Sequence, residues 1–360
     1  MALIWCSISG HGFGHAAQVV PTLNALGRLV PNLTAVLRTT VPPWFFQNRL
    51  TIPWEISRHV QDIGCVQQGP LHIDIEATWI AYADFHRIWE TRVKDEVSAI
   101  ESRSPDLVLS DISYLALEAG ARASVPAVGL SSLSWDVVLE RLETNLRDEH
   151  VPIIRQIRHS YRYADLMIRV APALPMPAFR HSVDIAPIAA PAASEADALR
   201  RATNASSDER IVAVAFGGIP LTSLPWARIE QMHGYRFIIP GAVPQSSRRI
   251  ISAENIPMSF PSIMASSDLL LTKPGYGTIV DAVATRRRVV YVRRYNFADE
   301  DVLIDYLNRY GCGIELSAGD FLDGRWEDTM DAVMRLSAAQ TSAPLAGGAE
   351  DAAHLLKTYL

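Results

Sequence analysis

The chain has 360 residues and a formal net charge of −6, and 49% of its residues are hydrophobic and 20% charged, as in an ordinary globular protein. This length predicts two domains, and the negative charge argues against nucleic acid as the main partner. Three scattered cysteines without a C-x-x-C pair indicate reduced thiols. The N-terminus lacks the basic segment of a signal peptide, and no apolar run reaches the roughly 18 residues of a membrane span. We therefore expect a cytoplasmic protein.

Apolar runs of strand length alternate with amphipathic stretches of helix length, which predicts parallel sheets with helices on both faces. Strands are predicted at 2–8, 34–38, 106–110, 126–130, 165–170, 210–216, 235–240, 268–272, 288–293 and 312–316. Helices are predicted at 15–28, 80–101, 114–123, 149–163, 224–232, 276–286, 298–310, 325–337 and 349–359.

The alternation stops between residues 171 and 204, where five prolines precede a stretch rich in alanine and serine. A new strand then begins at Ile211, so this stretch separates two halves of similar size. The predicted organisation is an N-terminal Rossmann-like domain (1–185), a linker (186–204), a C-terminal Rossmann-like domain (205–345) and a last helix (346–360) that could pack back on the first domain. Two such halves leave a cleft between them.

A loop rich in glycine and histidine joins the first strand to the first helix. It reads Gly10-His11-Gly12-Phe13-Gly14-His15. Glycine allows a sharp turn and a close ligand, the helix start offers free N–H groups, and a histidine there can act as a base near neutral pH. The loop does not suit a dinucleotide, because His15 stands where a small residue is required and no acid occurs before Glu55. A metal site formed by His11 and His15 lacks any supporting ligand motif.

Asp111 ends an apolar strand, and the carboxyl ends of parallel strands face the ligand crevice of such sheets. It could therefore accept a hydrogen bond from His15 and orient this residue as a base. Two plainer interpretations remain open: His15 as a helix-start residue without chemistry, and Asp111 as the N-cap of helix 114–123.

A second strand, glycine turn and helix follow at residues 267–282. Gly275, Gly277 and Thr278 would offer N–H groups and a hydroxyl to a diphosphate at the helix start, and Lys273 adds positive charge there. Asp281, about one turn into the helix, could accept hydrogen bonds from both ribose hydroxyls.

Two further loops would face the same crevice. Phe216, Gly217 and Gly218 end the first strand of the second half and would form another close-approach loop. Asp299 and Glu300 follow a later strand and would suit the hydroxyls of a sugar. The alternative for this acidic pair is the ordinary acidic first turn of helix 298–310.

Together these residues resemble the GT-B glycosyltransferase superfamily. The likeness is to the inverting branch that includes the N-acetylglucosaminyltransferase of peptidoglycan lipid intermediates, and more so to the glycosyltransferase-like N-terminal region of plant-type L-arabinokinases. The matching segments are Ser9–Ala16, Leu109–Asp111, Ser134-Trp135-Asp136, Phe216–Gly218, Gly275-Tyr276-Gly277-Thr278, Arg293-Arg294 and Asp299-Glu300. The resemblance implies an α/β protein of the GT-B class, with two Rossmann-like parallel-sheet domains facing a central cleft.

The resemblance also implies site residues. It gives His15 as the acceptor-activating base with Asp111 as its partner, the loop of Gly10, His11, Gly12, Phe13 and Gly14 with Trp135 on the acceptor side, and Phe216, Gly217, Gly218, Lys273, Gly275, Tyr276, Gly277, Thr278, Asp281, Asp299 and Glu300 on the sugar-donor side. Three departures stand out. The ribose acid is Asp281 rather than glutamate, the pair at 299–300 replaces an Asp-Gln pair, and the sequence ends at Leu360 without a galactokinase-type half, so we do not expect sugar phosphorylation.

The expected function is inverting transfer of a sugar from a nucleotide-diphosphate sugar, with a UDP-sugar as the expected co-substrate, to a hydroxyl on a small-molecule or lipid-linked acceptor. No metal or other cofactor is expected. The alternatives are a non-catalytic nucleotide-sugar-binding or regulatory module and a nucleotide-sugar epimerase. Residues 42–46, Pro-Pro-Trp-Phe-Phe, could dock an acceptor or begin a buried helix. A peripheral membrane contact and the oligomeric state are left open.

Overall fold

The computed structural model describes residues 2–143, 145–217, 224–337, 339 and 341–360. The first part of the chain forms a seven-stranded sheet in the order β3-β2-β1-β4-β5-β6-β7, and all its strand pairs are parallel. Its strands are β1 (Leu3–Ile8), β2 (Thr34–Arg38), β3 (Trp54–Ser57), β4 (Leu107–Asp111), β5 (Ala127–Ser131), β6 (Leu166–Val170) and β7 (Ser182–Ile185). The connecting helices are α1 (Gly14–Leu29), α2 (Ile75–His86), α3 (Trp89–Glu101), α4 (Tyr114–Arg122), α5 (Trp135–Leu142) and α6 (Val151–Tyr161).

The second part forms a six-stranded parallel sheet in the order β10-β9-β8-β11-β12-β13. Its strands are β8 (Arg210–Ala215), β9 (Tyr235–Ile239), β10 (Ile250–Ser252), β11 (Leu269–Thr272), β12 (Arg288–Tyr291) and β13 (Cys312–Glu315). The helices of this part are α7 (Ala196–Thr203), α8 (Trp226–Ile229), α9 (Phe260–Ser266), α10 (Tyr276–Ala284), α11 (Asp299–Tyr310), α12 (Ala318–Asp323), α13 (Glu327–Arg335) and α14 (Gly348–Leu356).

The central strands are buried on both faces, as parallel sheets require. Along β1, Ile4, Cys6 and Ile8 pack into one apolar layer and Trp5 into the layer on the other face, because successive side chains of a strand point to opposite sides. Ile211 and Ala213 of β8 belong to the same connected apolar cluster as Ile4, so one continuous core reaches from the first sheet to the second.

The predicted fold class is confirmed, and each of the ten predicted strands is present. Three strands were not predicted: β3 and β7, which form the two edges of the first sheet, and β10, which forms one edge of the second. The predicted helix 80–101 is wrong as one element. It is two helices, since Ile88 leaves helical geometry with φ −118° and ψ 35° before α3 begins.

The segment predicted as a linker, 186–204, contains the helix α7. This helix packs against α9 of the second sheet, and Arg200 on it binds Asp268 at 3.0 Å. The helix α14 packs against α1 of the first sheet, with Ala352 and Leu356 fully buried. In the part of the chain that the structure describes, no helix is both long and apolar enough to cross a membrane.

Candidate active site

His15 and Asp111 meet at the carboxyl edge of the first sheet. The register of β1 against β4 aligns Ile8 with Asp111, and α1 begins six residues after Ile8. Nδ1 of His15 lies 3.1 Å from both carboxylate oxygens of Asp111, and the geometry of a hydrogen bond is met with Oδ1. The N-cap of α4 is Ser113, whose hydroxyl accepts from a backbone N–H of that helix, so the N-cap interpretation of Asp111 is wrong.

The surroundings of His15 favour its charged form. Burial lowers the pKa of His15, but the charge and hydrogen bond of Asp111 and the charges of Asp62 and Asp299 outweigh it, and the net pKa is raised. Since Nδ1 is bound to Asp111, the neutral ring carries its proton there and presents a lone pair at Nε2. Nε2 has no hydrogen-bond partner among the described residues. The side chain can therefore accept a proton from a bound hydroxyl.

The Gly-rich loop turns at Gly12, which is exposed with φ 81°, a left-handed conformation that favours glycine. His11 points inward, and its Nδ1 accepts the backbone N–H of Cys65 at 3.3 Å. Burial and the nearby charges of His15, Lys273 and Arg294 lower the pKa of His11 to about 3. These surroundings favour the neutral form of His11 at pH 7.

Phe13 at the helix start lies beside the segment 42–46. Its ring stacks on Phe45 with centroids 5.2 Å apart and meets the edge of Trp44 at 5.3 Å. Phe45 and Phe46 are buried, whereas Trp44 is 57% exposed. The two interpretations of this segment thus apply to different residues: Phe45 and Phe46 are buried, whereas Trp44, which lies in the same short 3-10 helix (Pro43–Phe45), forms an exposed aromatic surface beside the Gly-rich loop.

Trp135 lies beside both histidines. Its ring centroid is 6.0 Å from that of His15 and 5.5 Å from that of His11. The indole N–H donates to a buried carboxylate, Asp62, at 3.0 Å. Sequence reasoning missed Asp62, which lies outside helices and strands between β3 and α2, where no periodicity indicates which way a side chain points.

Lys273 directly follows β11, and its charge acts on His11 of the first domain. Burial and the charge of Arg294 lower the pKa of Lys273 to about 7, against the opposing charges of Asp299 and Glu300. Gly217 lies beside this side chain, and its φ of 71° is a left-handed conformation that favours glycine. A bound anion would favour the charged form of Lys273.

The rest of the loop after β8 is partly described. Phe216 is buried in the core of the second domain, where its ring lies 5.1 Å from that of Phe321. Its side chain therefore packs the domain rather than facing the crevice. Gly218 lies outside the described residues.

The start of α10 carries the predicted diphosphate loop. Gly275 is the N-cap of this nine-residue helix, and Gly277 and Thr278 lie in its first turn. The side chain of Tyr276 turns away from the loop: its hydroxyl donates to the carbonyl of Ala171 at 2.8 Å and accepts the N–H of Ile188 at 3.1 Å. Tyr276 thus joins the second domain to the chain that leaves the first sheet.

Asp281 lies further along α10. Together with Thr278, Pro191, Met264 and Leu270 it lines a small depression. Its Oδ1 accepts the backbone N–H of Ala190 at 3.2 Å, and burial raises the pKa of Asp281 to about 6. The other carboxylate oxygen has no hydrogen-bond partner among the residues that the structure describes.

Asp299 and Glu300, the acidic pair at the start of α11, differ in their hydrogen-bond partners. Glu300 is fully buried, and its two oxygens accept the side-chain Nε of Arg294 at 2.6 Å and its backbone N–H at 2.9 Å. Asp299 is buried with Oδ1 lacking a partner among the described residues, and burial raises its pKa to about 7. The pair is also the first turn of the helix, as its alternative interpretation held. Asp299 is the member that can bind a sugar hydroxyl.

The two domains therefore bring one set of groups together. The charges of Asp299 and Lys273 from the second domain act on His15 and His11 of the first. Phe297, just before α11, packs into the core of the first domain, and its ring lies 6.4 Å from that of His11. The site thus combines a buried histidine–aspartate pair, a lysine just before a helix start and a carboxylate oxygen of Asp299 without a partner among the described residues.

Solved structures with the same architecture are glycosyltransferases. The chain superimposes on the calicheamicin glycosyltransferase CalG4 with a TM-score of 0.64 at 15% identity, covering 100% of this chain and 98% of that one. The glycotransferase of kitacinnamycin matches with a TM-score of 0.65 at 12% identity, covering 99% of each chain. UGT71G1 from Medicago truncatula, solved with UDP-glucose, matches at 0.61 and 10% identity, covering 99% of this chain and 93% of that one.

These likenesses define the class of fold: the chain has the GT-B fold of glycosyltransferases. In sequence it is similar to the L-arabinokinase of Arabidopsis thaliana, at 28% identity over 363 residues and 97% of this chain. The chain spans 34% of the length of that protein. No family model matches the chain. The likeness to the peptidoglycan branch stays a prediction.

Proposed function

We propose that the protein is an inverting glycosyltransferase that moves a sugar from a nucleotide-diphosphate sugar to a hydroxyl acceptor, with His15 as the general base. The observation that carries this proposal is the contact of His15 with Asp111, in which Nδ1 is bound and Nε2 is left for a ligand. A base held in one tautomer by a carboxylate is the arrangement that acid–base catalysis requires.

In the proposed reaction, Nε2 of His15 takes the proton of the acceptor hydroxyl. The oxygen forms a bond to the anomeric carbon as the bond from that carbon to the diphosphate oxygen breaks, and the electron pair leaves with the diphosphate. The carboxylate of Asp111 stabilises the imidazolium that results. Because the attacking oxygen enters opposite the leaving group, the anomeric configuration inverts.

The leaving diphosphate would be stabilised by fixed positive groups. These are the N–H groups at the start of α10 and the ammonium of Lys273. They supply charge that a divalent cation would otherwise provide, so we propose that the reaction is independent of metal. The unpaired Oδ1 of Asp299 would accept a hydroxyl of the transferred sugar, and Asp281 a hydroxyl of the ribose.

The sugar donor is proposed to be a UDP-sugar. The similar structure UGT71G1 is a complex with UDP-glucose, and another, the glycosyltransferase VinC, is a complex with dTDP. A thermal-shift screen of UDP-, dTDP-, GDP- and ADP-sugars identifies the nucleotide, since a ligand that binds only the native state raises the melting temperature. We expect the largest shift with a UDP-sugar.

The base is tested with His15→Ala. We expect turnover to fall by about 10²- to 10⁴-fold, because the proton has no acceptor, while calorimetry gives an unchanged dissociation constant for the sugar donor. Turnover within a few-fold of the parent protein, with intact donor binding, would remove His15 from the mechanism.

A nucleotide-sugar-binding module without turnover is the second candidate. The similarity to part of an L-arabinokinase favours it, since that name denotes a different chemistry. Calorimetry that detects nucleotide-sugar binding, with neither hydrolysis nor transfer across an acceptor screen, would support the module. Conversion of the sugar donor into an epimeric nucleotide sugar, without any acceptor, would instead indicate an epimerase.

A further inference from the structure

Asp62 is a buried carboxylate whose two oxygens link two parts of the candidate site. It is 6% exposed. Oδ1 accepts the hydroxyl of Ser9 at 3.0 Å, and Oδ2 accepts the indole N–H of Trp135 at 3.0 Å. The Ser9 hydroxyl oxygen in turn accepts the backbone N–H of His11 at 3.2 Å. One carboxylate therefore binds the start of the Gly-rich loop on one side and the first residue of α5 on the other.

These two parts lie beside His15. The Gly-rich loop leads directly into the helix turn that carries His15, and the Trp135 ring packs 6.0 Å from the imidazole. The backbone N–H of Trp135 is also fixed, since it donates to the hydroxyl of Tyr161 at 3.1 Å. Without Asp62, the loop and the indole would each lose the hydrogen bond that sets their position relative to His15.

We propose that Asp62 is a positioning residue for the base: its carboxylate fixes the Gly-rich loop and Trp135 on two sides of His15 and places a second negative charge near the imidazole. The part of this proposal that concerns turnover rests on the proposed function. The part that concerns the network and the charge at His15 does not depend on it.

The charges around this pair come from several elements. Asp111 on β4, Asp299 at the start of α11 and His11 on the loop interact electrostatically with His15. Asp111 and the neutral, titratable hydroxyls of Tyr82 on α2, Tyr114 on α4 and Tyr161 on α6 interact with Asp62. Burial raises the pKa of Asp62 to about 6, while the hydrogen bonds from Trp135 and Ser9 and the charge of His15 oppose this shift and favour the carboxylate. Its charge favours the imidazolium form of His15, and a neutral replacement lowers the pKa of His15.

The test compares Asp62→Asn with two other variants of the full chain. Asp62→Asn keeps the shape and removes the charge. Ser9→Ala removes one hydrogen bond and keeps the charge. Asp136→Asn is the matched control, since Asp136 is fully buried beside Trp135 but binds Ser134 and Arg158 instead. The readouts are the imidazole resonance of His15, titrated by NMR with ¹³C-labelled histidine and assigned with His15→Gln, and the separate values of kcat and KM.

We expect Asp62→Asn to lower the pKa of His15 by on the order of one unit. We expect kcat to fall by about 10- to 100-fold with KM for the sugar donor within about threefold. Ser9→Ala should lower kcat by about three- to tenfold and leave the pKa of His15 within about 0.2 unit. Asp136→Asn should leave the pKa of His15 unchanged, whatever it does to thermal stability.

An unchanged pKa of His15 in folded Asp62→Asn would overturn the proposal. If Asp62→Asn does not fold, Ser9→Ala decides, and a kcat equal to that of the parent protein would overturn it. Failure of the proposed function has a different result: His15→Gln would retain turnover, or no acceptor would be used at all. In that case the NMR titration still decides whether Asp62 sets the charge state of His15.

Discussion

Nδ1 of His15 and the carboxylate of Asp111 lie 3.1 Å apart although 96 residues separate them in the chain. The parallel register of β1 and β4 creates this contact, because it brings the ends of both strands to one edge of the sheet. The carboxylate is fully buried, so its charge is little screened by water. Asp111 therefore favours one tautomer of the neutral His15 ring and makes the largest contribution that raises the pKa of His15.

We expect Asp111→Asn to lower kcat by about 10²- to 10⁴-fold, because an amide N–H facing Nδ1 moves the ring proton to Nε2, the wrong tautomer for a base. The pKa of His15 should fall in the same variant. Steady-state kinetics and histidine NMR check both. The control is Asp106→Asn at the opposite end of the same strand, where Asp106 accepts the N–H of Leu3 at 2.8 Å. Equal losses of turnover in both variants would contradict the prediction.

Asp299 makes stability depend on pH. Its pKa is about 7 in the folded protein, above the value of about 4 in an unfolded chain, so the folded state holds this proton more tightly. The fold therefore loses stability as pH rises from about 4 to about 7. Asp299→Asn should raise the free energy of unfolding above pH 7 by on the order of 1–3 kcal/mol and leave it nearly unchanged near pH 4.

Thermal melts of both proteins at several pH values measure this difference. The control is Asp301→Asn. Asp301 is exposed and lies two residues after Asp299 in the same helix turn, so this variant should give no pH-dependent gain in stability. If Asp299 also binds the transferred sugar, Asp299→Asn will have a lower affinity than the parent protein for the nucleotide sugar. Its affinity for the free nucleoside diphosphate will be less affected. A gain in stability that is equal at pH 4 and pH 8 would contradict the electrostatic account.

Tyr276→Phe tests the link between the two domains. The loss of hydrogen bonds to Ala171 and Ile188 should lower the free energy of unfolding by about 1–2 kcal/mol. Nucleotide-sugar affinity should stay within about threefold, because the hydroxyl faces the interdomain chain. Calorimetry and thermal melts separate the two effects. Unchanged stability with strongly weakened binding would instead place the Tyr276 hydroxyl in the sugar-donor site.

Trp44 and Phe46 should respond differently to truncation. Phe46 is fully buried, and Phe46→Ala should cost about 3–5 kcal/mol of stability. Trp44 is mostly exposed, so Trp44→Ala should change stability by less than about 1 kcal/mol. As Trp44 packs against Phe13 of the Gly-rich loop, we expect its loss to raise KM for an apolar acceptor by about three- to thirtyfold. An unchanged KM would show that acceptors do not use this surface.

The sequence predicted all the central strands and one edge strand, β13, and missed the other three edge strands. Central strands such as β4 and β5 are buried on both faces, so they read as continuous apolar runs. The missed strands β3, β7 and β10 each have only one hydrogen-bonded neighbour, are three or four residues long and contain polar residues. Such segments carry no pattern that separates them from loops.

The site was predictable where a motif fixes geometry. The contact of His15 with Asp111 follows from strand ends, and the loop of α10 from its glycines. Three details required the structure, because they depend on tertiary packing that spacing does not encode: the inward Phe216, the interdomain bonds of Tyr276, and Asp62.

The packing of α14 on α1 has a consequence for synthesis of the protein. Residues 348–356 cover α1, the helix whose first turn carries His15. One apolar side of α1 therefore stays uncovered until those residues have left the ribosome. The first domain is therefore among the first parts to be made and among the last to be completed. A ribosome-bound chain that stops before residue 348 should be digested by protease within α1. A chain extended far enough for α14 to have left the ribosome should be protected there.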